Sequence, residues 1–144
     1  PGAFADPLAH LPEHSVELEV LLLQHLFAGR GPFRIVPLLV GSFGDHVARG
    51  TDPGTDPDVR RMVDALRAAE AAAGEPVCYL VSGDLAHIGP KFGDPDRVTE
   101  ATLAVSRHQD DKLLDRLAAA DHAGFFAAVA DEGDGRRICG LSPA

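Results

Sequence analysis

The sequence has few cysteines, few basic residues and no long uninterrupted apolar run. Two cysteines, Cys78 and Cys139, are too few for a disulfide framework and favour a reducing, cytoplasmic setting. Lys and Arg number 13 against 22 Asp and Glu, and no segment is densely basic, so we expect no nucleic-acid partner. The longest apolar stretch, Leu18 to Leu26, is interrupted by polar residues and is too short to span a bilayer, so we expect no membrane partner.

Several short motifs that identify enzyme classes are also absent. The sequence contains no Walker phosphate loop, no GxGxxG, no CxxC pair, no HExxH and no GxSxG. These absences remove many enzymes from consideration. A cysteine-dependent hydrolase that uses Cys139 with His14 or His87 stays open, because partners of this kind meet only in the folded chain.

Hydrophobic patterning predicts helices in alternation with two strands. The clearest helix begins at Pro57, with Asp56 as its N-cap, and ends at Gly74. The other predicted elements are helices over Val16 to Phe27, Val98 to Ala119 and Asp121 to Ala130, and strands over Phe33–Val40 and Val77–Val81. We predict an α/β fold, a layered domain with a mainly parallel sheet flanked by helices, as a single domain over residues 1–144.

One candidate site follows the second predicted strand, which we expect to be buried with Cys78 inside it. Ser82, Gly83 and Asp84 come directly after this strand, and in open α/β sheets ligands bind beyond the carboxyl ends of the strands. Three residues later, His87 would lie near Asp84 if the loop turns helically, which gives a carboxylate and an imidazole for proton transfer. The alternative is a turn-capping Asp84 and a surface His87.

Two further candidate residues lie near the two ends of the sequence. His14 directly precedes an apolar helix, where the helix dipole disfavours imidazolium and leaves a neutral ring that can bind a metal. Cys139 follows Arg136 and Arg137, which would lower the pKa of its thiol if they turned toward it. The alternatives are a capping or solvent histidine and an inert thiol. Together, imidazole, carboxylate and thiolate groups are the donors that a first-row transition-metal site requires.

Four segments occur in the order and spacing of one known family. They are Glu13-His14-Ser15-Val16-Glu17, Ile35 to Gly41, Val81-Ser82-Gly83-Asp84-Leu85-Ala86-His87-Ile88-Gly89 and Cys139-Gly140. Over about Glu13 to Gly140 the sequence resembles the Memo family, also called AmmeMemoRadiSam system protein B. That family is similar in fold to class III extradiol ring-cleaving dioxygenases.

The resemblance implies a metal pocket in which His14 and Cys139 are ligands, Asp84 is an adjacent carboxylate and His87 lines the same cavity. Imidazole and thiolate ligands suit an iron or copper ion better than magnesium or calcium. A radical SAM protein and an AMMECR1-like protein are the implied partners. The family also has an earlier strand that ends in another histidine, which this chain lacks, so we expect a central portion of a longer protein, incomplete at both ends.

Three functions remain open at this stage besides the cysteine-dependent hydrolase. The first is a Memo-like metal-binding protein with iron- or copper-dependent redox activity. The second is a non-catalytic binding module of an AmmeMemoRadiSam system. The third is an extradiol-type dioxygenase in which His87 or Asp84 moves protons, although a thiolate ligand is unusual for that chemistry. Whether the protein is an enzyme is therefore left open by the sequence.

Overall fold

The computed structural model describes residues 7–144, and all the regular secondary structure in this range is helical. Its α-helices are α1 (Ser15–Leu26), α2 (Gly44–Arg49), α3 (Pro57–Ala73), α4 (Glu100–Ala118) and α5 (His122–Ala130). Short 3-10 turns occur at Pro7–His10, Pro53–Thr55, Pro90–Phe92 and Cys139–Leu141. The chain divides into two compact units, Pro1–Gly41 and Ser42–Ala144. No helix within residues 7–144 is both long enough and apolar enough to cross a membrane.

The predicted α/β fold with a mainly parallel sheet is wrong, because residues 7–144 contain no strand. The two predicted strands, Phe33–Val40 and Val77–Val81, are non-helical segments outside any sheet. Tyr79 is 53% exposed where the prediction required burial on both faces, and Cys78 is exposed as well. An apolar run becomes a strand only where a neighbouring backbone completes its hydrogen-bonded ladder, and no described segment does so here.

The prediction for α3 is confirmed. The Asp56 carboxylate accepts a hydrogen bond from the Asp58 backbone N–H at 2.7 Å, and Pro57 occupies the first helical position. Gly74 ends the helix in the left-handed conformation, with φ of 67°. The residues that predicted this helix lie at its two ends, so the prediction does not depend on how the rest of the chain folds.

A small apolar core forms in the second unit between α4, α5 and the segment that contains Cys139. Its buried side chains are Leu113, Phe125, Val129, Ile138 and Leu141. Leu85 and Ala86 pack against this core from the loop that carries Asp84 and His87. The core thus anchors two segments that the sequence analysis selected separately.

Candidate metal centre

The loop after residue 81 lies against the 3-10 turn that begins at Cys139. The Gly140 backbone N–H donates a hydrogen bond to the Asp84 carbonyl at 2.8 Å, and the His87 N–H donates to the Arg136 carbonyl at 2.7 Å. At Gly83 the two backbones approach so closely that an added Cβ would lie 2.7 Å from the Gly140 Cα. Glycine at position 83 is therefore a requirement of this contact.

We expect Gly83→Ala to lower the free energy of unfolding by about 1–3 kcal/mol, the usual cost of overpacking. The added methyl group would press on backbone atoms that the Gly140 hydrogen bond holds in place. Urea unfolding followed by circular dichroism measures the change. Gly41→Ala is the matched control, because no heavy atom lies within 4 Å of the Cβ it would introduce. A Gly83→Ala protein as stable as the control would show that the two backbones do not approach in this way.

The imidazole of His87 is held in one orientation. Its Nδ1 lies 2.9 Å from the Arg137 carbonyl oxygen and 3.1 Å from the Leu85 carbonyl oxygen. The Phe92 ring packs edge-on against it, with the ring centroids 4.8 Å apart. Because a carbonyl oxygen can only accept, these contacts require the proton on Nδ1, and the neutral ring then presents the Nε2 lone pair.

Cys139 and Asp84 both lie close to this Nε2 atom. The Cys139 Sγ is 3.8 Å from Nε2 and 3.9 Å from Nδ1, and the Asp84 Oδ2 is 3.5 Å from Nε2. The nearly equal sulfur distances mean that Sγ is not aligned with the lone pair of either nitrogen. This geometry does not favour cysteine-dependent hydrolysis.

The distance between Sγ and Nε2 is close to that between two ligands of one metal ion, but the orientation is not. Thiolate and imidazole donors bound at about 2.3 and 2.1 Å in tetrahedral geometry lie about 3.6 Å apart. An Sγ almost equally far from both ring nitrogens lies beside the ring and not in front of the Nε2 lone pair, so a shared ion requires rotation of the Cys139 side chain. Within residues 7–144, however, no group of three or more His, Cys, Asp or Glu side chains is arranged to hold a metal ion. The second unit therefore supplies a pair of donors and not a complete ligand set.

His14 belongs to the first unit, where it precedes α1 at the N-cap position and makes no capping hydrogen bond with its side chain. That side chain is 80% exposed. The Glu13 carboxylate instead accepts hydrogen bonds from the Ser15 and His14 backbone N–H groups, and these bonds lower the pKa of Glu13. Glu13 is thus the residue that caps α1, and the role of His14 as a metal ligand stays a prediction.

Arg136 contacts carboxylates, whereas the sequence suggested that it could turn toward the Cys139 thiol. Its Nε donates to Glu132 at 3.1 Å, and its Nη1 donates to Asp110. Its side chain is only 12% exposed, so this pairing ties the segment before Cys139 to α4.

Arg137 and Asp94 are also part of the site, in structural roles that the sequence did not indicate. The Arg137 Nη2 lies 2.7 Å from Asp94 Oδ1, and its Nη1 donates to the His87 carbonyl at 3.0 Å. Hydrogen bonds from Arg137 and from the Gly89 N–H hold the pKa of Asp94 below its usual range. The only signal in the sequence was the glycine-rich stretch at 89–93, which marked a loop and not the ion pair.

These contacts define a helical unit that brings a thiol, an imidazole and a carboxylate together in one place. The sequence profile of the family described as Memo-like protein matches residues 3–144, and the chain therefore belongs to that family. The resemblance stated from the sequence is thereby confirmed.

The chain is similar to several MEMO1 family proteins. One from Methanothermobacter thermautotrophicus is 28% identical over 138 residues, which is 96% of this chain and 40% of the relative. One from Thermus thermophilus is 32% identical over 117 residues, 80% of this chain and 29% of the relative. One from Sulfolobus acidocaldarius is 27% identical over 138 residues, 96% of this chain and 39% of the relative. No solved structure matches the chain.

Proposed function

We propose that this Memo-like protein binds an iron or copper ion through the Cys139 thiolate and the His87 imidazole. The observation that carries the proposal is the closeness of three candidate donors, since the Cys139 Sγ lies 3.8 Å and the Asp84 Oδ2 lies 3.5 Å from the His87 Nε2. A soft thiolate with an imidazole suits iron, copper or zinc, whereas magnesium and calcium prefer oxygen ligands. Iron and copper can also change oxidation state, which is the redox chemistry we propose for the site.

Asp84 and His14 have separate roles in the proposal. The Asp84 carboxylate is 83% exposed and lies 3.5 Å from His87 Nε2, so it can exchange a proton with solvent beside the donor pair. His14 remains a proposed ligand on the strength of the family resemblance alone. Because a thiolate and one imidazole leave coordination positions open, the proposal requires further ligands beyond this pair.

Metal loading of the purified protein tests this function. Anaerobic titration with Fe²⁺, Cu⁺ and Co²⁺ should give one bound ion per chain, and a large excess of Mg²⁺ or Ca²⁺ should not displace it. Failure to bind any of the three ions, or displacement by Mg²⁺, would contradict the proposal. Oxygen uptake on addition of a catechol to the iron-loaded protein would identify an extradiol-type dioxygenase. Metal binding without uptake for any catechol would remove that alternative and favour redox chemistry on another substrate or a binding module.

A further inference from the structure

A groove with a volume of about 520 Å³ runs beside α4 in the second unit. This volume lies within the range of small-molecule sites, about 300–1,000 Å³. One wall of this α4 groove is a face of the helix formed by Ala101, Val105 and Gln109, which share a face because they are spaced one helical turn apart. The groove is lined by none of the candidate metal donors, which are Asp84, His87 and Cys139.

Most of the surface of the α4 groove is apolar. Its apolar residues are Ile88, Pro95, Val98, Ala101 and Val105. Val98 is 44% exposed and Val105 is 60% exposed. Because removal of apolar surface from water is favourable, a ligand with an apolar body would be stabilised here.

Gln109 adds a hydrogen-bond acceptor to the α4 groove. Its Nε2 donates to the Glu132 carboxylate at 2.6 Å. A carboxylate can only accept, so this contact fixes which end of the Gln109 amide is the nitrogen. The Gln109 Oε1 makes no hydrogen bond within residues 7–144 and is therefore available to a ligand.

Arg136 adds a donor to the same groove. Its Nε donates to Glu132 at 3.1 Å, its Nη1 donates to Asp110 and to the Ser106 carbonyl, and the side chain is only 12% exposed. Its Nη2 makes no hydrogen bond with any described residue. No buried polar side-chain atom in the described part of the chain lacks a partner, so Nη2 is accessible and remains available as a donor.

The charges around this donor disfavour an anionic ligand. The single positive charge of Arg136 is outweighed by the carboxylates of Asp110 and Glu132, which both pair with it. The other charged residues that line the groove nearly balance one another: they are Asp96, Arg97 and, in an ion pair with Arg137, Asp94. A neutral group that both accepts and donates a hydrogen bond fits this arrangement, and an amide is such a group.

We propose that the α4 groove is a binding site for a small neutral amide with an apolar body. The amide oxygen accepts a hydrogen bond from the Arg136 Nη2, the amide N–H donates to the Gln109 Oε1, and the apolar body covers Val98 and Val105. The proposal does not depend on the metal centre, because no candidate metal donor lines the groove.

NMR titration of the metal-free protein with N-methylhexanamide tests the proposal. We expect saturable shifts of the backbone N–H signals of Val98, Ala101 and Val105. Methyl hexanoate has the same shape but an ester oxygen in place of the N–H, so it should bind about fivefold more weakly through loss of one hydrogen bond. The anion hexanoate should bind about tenfold more weakly or worse. Absence of saturable shifts at these residues, or equal binding of hexanoate and the amide, would overturn the proposal.

Ala101→Leu should weaken binding of the amide about tenfold or more, because the larger side chain occupies the space of the ligand. Ala104→Leu is the matched control, since Ala104 is also exposed on α4 but does not line the groove. Circular dichroism checks that both variants keep their helices. Equal affinity for the amide in the two variants would place the ligand elsewhere and contradict the proposal.

Gln109→Met removes the proposed acceptor and keeps the length of the side chain. In this variant the amide and the ester should bind equally, because the amide N–H has lost its acceptor. A merely structural role of Gln109 would weaken both ligands alike and preserve the difference of about fivefold, which would contradict the role of Oε1. Since all these measurements use metal-free protein, their outcome is separate from the metal titrations that test the proposed function.

Discussion

We expect Leu113→Ala to lower the free energy of unfolding by about 2–5 kcal/mol, because truncation of a branched aliphatic side chain in a packed core leaves a cavity. Leu113 is 1% exposed, and it packs with Phe125, Val129, Ile138 and Leu141. Because the buried core is this small, the remaining side chains cannot offset the packing that is lost with Leu113. Urea unfolding followed by circular dichroism measures the effect.

Leu114→Ala is the matched control for that experiment. Leu114 lies next to Leu113 on α4 but is 49% exposed, so its truncation should cost about 0.5 kcal/mol or less. Because Leu85 and Ile138 contact the same core, Leu113→Ala should also weaken metal binding. Equal losses of stability in the two variants would show that Leu113 is not packed in the core.

The second large effect is a loss of metal affinity, which we expect when the proposed metal ligands are substituted. Cys139→Ser replaces a soft thiolate with a hydroxyl group of similar size, and we expect Co²⁺ affinity to fall about 100-fold or more, since changes beyond the direct ligands already reach that range. His87→Gln should have a comparable effect. Competition with a coloured chelator measures both affinities.

Cys78→Ser is the control for Cys139→Ser. Cys78 is also exposed and belongs to the same unit, but it lies outside the cluster formed by Asp84, His87 and Cys139. Its substitution should leave Co²⁺ affinity unchanged. If both cysteine variants bind Co²⁺ as the wild-type protein does, neither thiolate is a ligand and the proposed site is wrong.

The helices could be predicted from the sequence because their signals are local. Asp56, Pro57 and Gly74 mark the two ends of α3 within a few residues of it, and each occupies its predicted position. The sheet could not be predicted in the same way. The run Val77–Val81 is apolar enough for a buried strand, but pairing depends on a neighbouring backbone that the run itself does not specify.

The same distinction applies to the candidate site. The chemistry of Asp84, His87 and Cys139 is visible in their residue types, and the structure brings these three side chains together in the second unit. The supporting contacts were not visible, because Arg137 and Asp94 are 43 residues apart and neither belongs to a motif. The left-handed conformation of Arg137 was equally hidden, since no glycine marks that position.

X-ray absorption spectroscopy of the Co²⁺-loaded Cys78→Ser protein shows whether the Cys139 thiolate binds the metal ion, because Cys139 is then the one cysteine left in this chain. We expect a single sulfur scatterer at about 2.3 Å together with nitrogen or oxygen scatterers at about 2.0–2.2 Å, with the imidazole pattern of a bound histidine. A coordination shell of nitrogen and oxygen atoms alone, without sulfur, would contradict the proposed metal site.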